Sequence, residues 1–342
     1  MRSLFRKRTT FAPLALLLIV VLLLTSCTFD KGVIDPAAPN TNATQAGDLP
    51  ADDFESFELD WNDAARKRLV PTRLYWPQVK PGQLVPLIVF SHGMGGSRSG
   101  YSYLGSYWAK HGYASLHVQH VGSDRNLWRG NIFSLIPRLQ AAAHDNEAVE
   151  RVRDFTFALD QLLSSRFGGS IDQNRIVAAG HSYGANTVML VAGARVVRKD
   201  QFIQFRDARV RAAIIISAPP FYGETDLIPI LGQVEIPTFH ITCTDDIIKI
   251  PGYESPASDR IKVFEAMGSS MKLLTVFQGG SHSIFTDRSA TGGVLLNPQV
   301  KAATQALTLA FLHRVFDGVG SATEIWNEEH RALISKFIVV GY

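Results

Sequence analysis

Short, almost continuous apolar runs alternate along this chain with segments of helical periodicity, and no other feature restricts the fold as strongly. RLVPTRLYWP from Arg68, VPLIVFSHG from Val85, YASLHVQHVG from Tyr113, RIVAAG from Arg175, VRAAIIISAPP from Val210, IPTFHITCTDD from Ile236 and MKLLTVFQGG from Met271 read as strands. GYSYLGSYWAKHG, NEAVERVRDFTFALDQLLSS and PQVKAATQALTLAFLHRVF, from Gly100, Asn146 and Pro298, place their apolar residues at helical spacing. A strand apolar on both faces must be covered on both, and a helix between two strands returns the chain so that they run parallel. The expectation is an α/β chain with a mainly parallel, doubly wound sheet. No internal repeat is present.

The ends are of a different character. Arg2, Arg6, Lys7 and Arg8 precede the apolar stretch Phe11–Leu24, which is too short to span a membrane comfortably and reads as a signal peptide over residues 1–26. LTSC at Leu24–Cys27 resembles a bacterial lipobox, so Cys27 is the expected lipidation site and residues 27–55, rich in Pro, Ala, Asn, Thr and Asp, the expected tether. The expected location is export with a lipid anchor in the cell envelope, at the outer membrane if the source is Gram-negative. Without the four basic residues of the leader the formal charge of +3 becomes 3 − 4 = −1, so the basic balance gives no reason to expect a nucleic-acid partner. Cys243 is then the one thiol left, and no intrachain disulfide is expected.

Within residues 56–342, the expected catalytic domain, three segments carry chemistry. IVAAGHSYGAN runs from a strand into Gly180, His181, Ser182, Tyr183 and Gly184, a G-x-S-x-G turn suited to holding the Ser182 hydroxyl clear of a sheet. Cys243, Thr244, Asp245 and Asp246 end a later strand, where a carboxylate can orient a histidine. FQGGSHSIFTD places His282 in a glycine-rich loop after the last recognised strand. Of the ten histidines, His92 and His181 flank loop glycines, and His111, His117, His120 and His144 precede the serine. His240 lies in a strand, and His313 and His330 are expected in helices. His282 has the position of a general base for Ser182. His117 and His120 form an H-x-x-H pair whose rings a strand would send to opposite faces, so no metal is expected there, and no cofactor elsewhere.

Upstream, FSHGMGGSRSG follows a strand with glycines at 93, 95 and 96. SHGMGG, GHSYGAN, ITCTDD and GGSHSIF, in this order, resemble the α/β-hydrolase superfamily, in particular the group of dienelactone hydrolases, platelet-activating-factor acetylhydrolases and chlorophyllase-like esterases. The resemblance implies the α/β-hydrolase fold and a serine esterase with a Ser182, Asp246, His282 triad. It also implies an oxyanion hole of the Met94 and Tyr183 backbone N–H groups. The acetylhydrolases carry their acid after the strand next to the nucleophile, but IIISAPPFYG offers no aspartate there, so the acid is expected one strand later. The resemblance puts it at the last residue of CTDD, Asp246 rather than Asp245, with Glu224 and Asp226 as further candidates.

The implied activity is cleavage of carboxylic esters, with short acyl chains the first expectation and a small-molecule or lipid ester as partner. The competing readings are a lipase, phospholipid deacylase or acyltransferase on the same residues, and a lipoprotein that keeps the fold without catalysis. Residues 123–146 are long enough for a small cap over the pocket. Most of Trp128, Ile132, Phe133, Leu135 and Ile136 are expected to pack into the core.

Overall fold

The structure, a computed structural model, describes residues 53–198, 201–250, 253–319, 328 and 330–341. The segments expected to be leader and tether, with Cys27, lie outside these residues up to residue 52. Nine strands form one sheet: β1 (Phe54–Asp63), β2 (Arg68–Pro77), β3 (Val85–Ser91), β4 (Ala114–Val118), β5 (Ile171–His181), β6 (Val210–Ile216), β7 (Thr238–Asp245), β8 (Lys272–Ser281) and β9 (Ile334–Val340). Their spatial order is β1-β2-β4-β3-β5-β6-β7-β8-β9. The six strands from β4 to β8 in this order are parallel, and β1, β2 and β9 pair antiparallel at the two edges.

The helices are α1 (Ser102–Lys110), α2 (Leu135–Ala143), α3 (Asp145–Leu163), α4 (Tyr183–Ala192), α5 (Ile228–Leu231), α6 (Ser258–Ala266) and α7 (Leu296–Asp317). Alternate residues of each central strand feed opposite faces of the sheet, as the two-residue repeat requires. Leu87, Val89, Ile176, Ala178, Ala213 and Ile215 pack with Phe155 and Leu159 of α3 and Val188 of α4. Their neighbours Ile88, Phe90, Val177, Ala179, Ile214 and Ile216 pack with Leu104 and Trp108 of α1 and Leu307 and Phe311 of α7. Each fully buried Leu, Ile, Val or Phe among them stabilises the fold by roughly 1.5–3 kcal/mol relative to exposure. The doubly wound sheet is therefore present, with covering layers on both faces.

Three expectations need correction. Strand β1 begins at Phe54, so the last two residues assigned to the tether belong to the sheet, where the Phe57, Leu59 and Trp61 face packs on the core. Strand β9 was not anticipated, and His330 lies in a turn before it rather than in a helix. In the 123–146 segment Trp128, Ile132 and Phe133 are exposed, Phe133 at 86%, while Leu135 and Ile136 are half-buried. The segment is fastened to the glycine loop by hydrogen bonds: Gly95 N–H donates to Ser123 O (2.8 Å), Arg125 N–H to Gly96 O (2.7 Å) and the Trp128 indole N–H to Gly95 O (3.2 Å).

Candidate active site

The sheet passes directly into α4 at Ser182, with no intervening loop. The turn is made by the serine itself, held at φ 55° and ψ −120°. A non-glycine residue at positive φ is strained by about 1–3 kcal/mol and persists only where its surroundings enforce it. Here Ser182 N–H donates to Ile216 O of β6 (2.9 Å), and α4 lies so close to β3 that a Cβ on Gly184 would stand 1.9 Å from Ser91 O. The second glycine of the motif is thus a condition of the helix approach that lifts the hydroxyl from the sheet.

Two neighbouring parallel strands bring the other groups. Near its end strand β8 carries Gly279 and Gly280, both at positive φ, and a Cβ on Gly280 would crowd the Cys243 thiol at 3.0 Å; after Ser281, His282 begins a single 3-10 turn. Strand β7 delivers Asp246, which is fully buried. His282 Nδ1–H donates to Asp246 Oδ1 (2.7 Å), and the Ser182 hydroxyl donates to His282 Nε2 (2.7 Å). The ionised carboxylate can only accept, which fixes this tautomer. The Thr242 hydroxyl donates to Asp246 Oδ2 (2.7 Å), and Arg260 Nη2 of α6 lies 3.3 Å from Oδ1. Burial alone would raise the Asp246 carboxyl, but the hydrogen bond from His282 and the electrostatic attraction of the His282 ring and the Arg260 guanidinium hold it well below the usual carboxylate range.

The alternative acids are occupied elsewhere. Asp245 is exposed and accepts from the Thr244 hydroxyl (3.2 Å). Glu224 pairs with Arg198, and Asp226 accepts the Ile228 N–H (3.3 Å). The structure thus brings Ser182, His282 and Asp246 together and leaves the other three apart.

The glycine loop after β3 is built to a fixed shape. His92 Nε2 accepts the His120 N–H (3.1 Å), so Nδ1 carries the proton and donates to Gly93 O (2.7 Å), which Gly96 N–H also reaches (3.0 Å). With that carbonyl held, the opposing N–H of the same planar peptide, which belongs to Met94, is held too. Among the described residues neither Met94 N–H nor Tyr183 N–H has an acceptor within the chain. Gly93 lies against the serine: a Cβ there would be 3.3 Å from Ser182 Cβ. His181 Nε2–H donates to His282 O (3.0 Å), its Nδ1 accepts from the Tyr101 hydroxyl (2.8 Å), and the Tyr101 oxygen accepts Gly93 N–H (3.4 Å). Burial and the nearby His282 push His181 down to about 3, so it stays neutral in this role.

The serine is thus held on a strand-to-helix turn after β5, with aspartate and histidine supplied after the parallel strands β7 and β8. A ferulic acid esterase from Streptomyces cinnamoneus superposes with a TM-score of 0.59 at 20% identity, over 80% of this chain and 93% of that one. The chain has the α/β-hydrolase fold. A family model described as platelet-activating factor acetylhydrolase, isoform II, matches residues 71–126 of the chain, from within β2 past the glycine loop. A platelet-activating factor acetylhydrolase of Cavia porcellus is 24% identical over 314 residues, 79% of this chain and 67% of the relative.

Two participants escaped the reading of the sequence. Arg260 reaches Asp246 from α6, a helix that was not anticipated. Arg151 lies fully buried behind the glycine loop although it belongs to a charged stretch of α3; its signal was its place one turn before Phe155, on the stripe that α3 turns to the core. His120, of the H-x-x-H pair, lies beyond the end of β4 and donates through Nδ1 to Asp154 Oδ2 (3.2 Å), while His117 Nδ1 contacts Gly100 O (3.1 Å). Among the described residues no group of three or more His, Cys, Asp or Glu side chains is arranged to hold a metal ion.

Proposed function

We propose that this α/β-hydrolase is a carboxylic ester hydrolase that works through an acyl-enzyme on Ser182. The observation that carries the reading is the continuous series from Ser182 Oγ through the His282 ring to Asp246, with both hydrogen bonds at 2.7 Å. In the first half-reaction Ser182 Oγ attacks the ester carbonyl carbon while His282 Nε2 takes the hydroxyl proton. The carbonyl pair moves onto oxygen, where Met94 and Tyr183 N–H groups receive it. Collapse expels the alkoxide, to which His282 returns the proton. Water then repeats the sequence on the acyl-enzyme and releases the acid. Asp246 keeps the Nδ1–H tautomer and stabilises the imidazolium formed at each step.

A short acyl group is the proposed substrate feature, supported by the acetylhydrolase name of the Cavia porcellus relative, and a small-molecule or lipid ester the proposed partner. Export and lipidation at Cys27 are likewise proposed, supported by the basic, apolar and LTSC segments at the start of the chain. Turnover of p-nitrophenyl esters of graded acyl length, with Ser182→Ala as the blank, tests the reading. The expected result is turnover highest for short chains and absent from the blank. Equal turnover in the blank overturns the nucleophile, and a preference for long chains overturns the acyl assignment.

A further inference from the structure

The guanidinium of Arg151 is fully buried, yet among the described residues it makes no direct ion pair. Its donors go to four oxygens: Nε to Thr187 Oγ1 (3.1 Å), Nη1 to Ser123 Oγ (2.7 Å), and Nη2 to Ser91 Oγ (3.1 Å) and to His92 O. Its Cζ also stands over the Tyr183 ring, 4.4 Å from the ring centre. The charge is balanced at one remove. The Ser123 hydroxyl passes on to Glu147 Oε1 (2.9 Å), and the Ser91 hydroxyl to His120 Nε2 (2.9 Å), whose Nδ1–H reaches Asp154. Burial lowers the guanidinium to about 10, which leaves it protonated at neutral pH.

Enclosing a cation without a carboxylate beside it is costly, and an apolar residue of similar size would pack the space at less expense. What the fork achieves is geometric. Through His92 O it grips the strand end that leads into Met94, and through the Tyr183 ring and Thr187 it grips the first two turns of α4. The Thr187 hydroxyl donates in turn to Tyr183 O (3.2 Å), so this contact closes on the same residue. The two N–H groups assigned to the oxyanion hole come from separate segments of chain, and Arg151 contacts both segments at once.

We propose that Arg151 is a positioning residue that holds Met94 N–H and Tyr183 N–H in register as the two oxyanion donors. The inference rests on the function proposed above. It requires that Arg151 act on the transition state and leave substrate binding largely alone, because a misplaced donor is felt when the negative charge develops.

The test compares Arg151→Met and Arg151→Lys with the unsubstituted protein in kcat, in KM for a short-chain ester and in Ki for an aryl trifluoromethyl ketone. Ser182 Oγ adds to the ketone carbon, the proton passes to His282 Nε2 and the carbonyl pair to oxygen, so the adduct carries the oxyanion that the N–H groups must receive. Arg151→Met is expected to lower kcat about 30–100-fold, below the loss of a whole oxyanion donor at its upper end, with KM within about threefold and Ki raised by a factor similar to the fall in kcat. Arg151→Lys, which keeps the charge and loses the fork, is expected to recover less than about a tenth of the activity. Full recovery with lysine, kcat within about threefold of the parent in Arg151→Met, or lost kcat with unchanged Ki would overturn the proposal. Should Arg151→Met fail to fold, Thr187→Val decides: a loss of about 3–10-fold in kcat matched in Ki supports it, and unchanged values overturn it. Ser182→Ala separates the two levels. Turnover surviving in that variant refutes the site itself, whereas an inactive Ser182→Ala beside unaffected Arg151 variants refutes only the role of Arg151.

Discussion

Asp246 Oδ1 stands 2.7 Å from His282 Nδ1, whereas Asp245, one residue earlier, points to solvent with its carboxylate against the Thr244 hydroxyl. Adjacent residues at a strand end face opposite ways, so only one of the two can serve the histidine. Asp246→Asn is expected to reduce kcat by about 10⁴-fold, since an amide at this place favours the wrong imidazole tautomer. Asp245→Asn is expected to keep at least about a tenth of the activity, a barrier change under about 1.4 kcal/mol. Parallel kinetics on the two variants check the ranking, and the reverse order would move the acid to Asp245.

Acid stability follows from histidines that are buried neutral. Burial pushes His117, His181 and His240 each down to about 3. In the unfolded chain such rings take up a proton near pH 6.5, so below that value the unfolded state binds more protons than the folded one. Stability is therefore complete above about pH 6.5 and is lost progressively toward pH 3, by something on the order of 1–2 kcal/mol for each histidine at pH 5. Asp246, whose folded value is depressed, adds a further loss once the pH falls below the ordinary carboxylate value near 4. Urea unfolding at pH 7.5 and pH 5.0 measures the effect. His240→Phe, at a ring packed edge-on to Phe264, is expected to make the dependence shallower. Stability equal at both pH values would contradict the account.

The elbow allows no side chain at its second glycine. A methyl group on Gly184 would meet the Ser91 carbonyl at 1.9 Å, backbone against backbone, with no flexible group to yield. Gly184→Ala is expected to cost about 1–3 kcal/mol or more in unfolding free energy and to displace Ser182 Oγ from His282. A variant with parental stability and turnover would show that the approach of α4 to β3 is looser than the structure has it.

Attachment is expected to depend on one sulfur. Cys27→Ser should release the catalytic domain into the soluble fraction or leave an unprocessed precursor, with the specific activity of the folded domain unchanged. Fractionation followed by a salt wash checks this. Full retention in the membrane fraction would show that another segment holds the protein.

The sequence disclosed some of these features and hid others for physical reasons. Ser182 and His282 were legible because each lies next to glycines just after an apolar run, a local signature of a strand end. Asp246 was not separable from Asp245 locally, since the direction of a side chain past a strand end depends on the turn that follows. The parallel strands were legible because two buried faces exclude polar residues. The edge strands were not: β1 turns one face to water and so mixes Phe57, Leu59 and Trp61 with Glu55, Glu58 and Asp60, and β9 is fixed by pairing with the distant β8. Trp128 and Phe133 illustrate the converse, since their apolar character does not say whether another segment covers them. Arg151 is marked in the sequence only by its place on the apolar stripe of α3, and Arg260 not at all, because burial of a charge is a property of the assembled fold, where partners from separate elements meet.

In the proposed mechanism Ser182 becomes covalently acylated. Reaction with a fluorophosphonate, followed by mass analysis of the proteolytic peptides, tests it most directly. The expected result is one adduct per chain on Ser182, formed in step with loss of ester turnover and absent after Asp246→Asn or formed at a rate reduced by orders of magnitude. An adduct on another residue, or full turnover in protein whose Ser182 is completely modified, would contradict it.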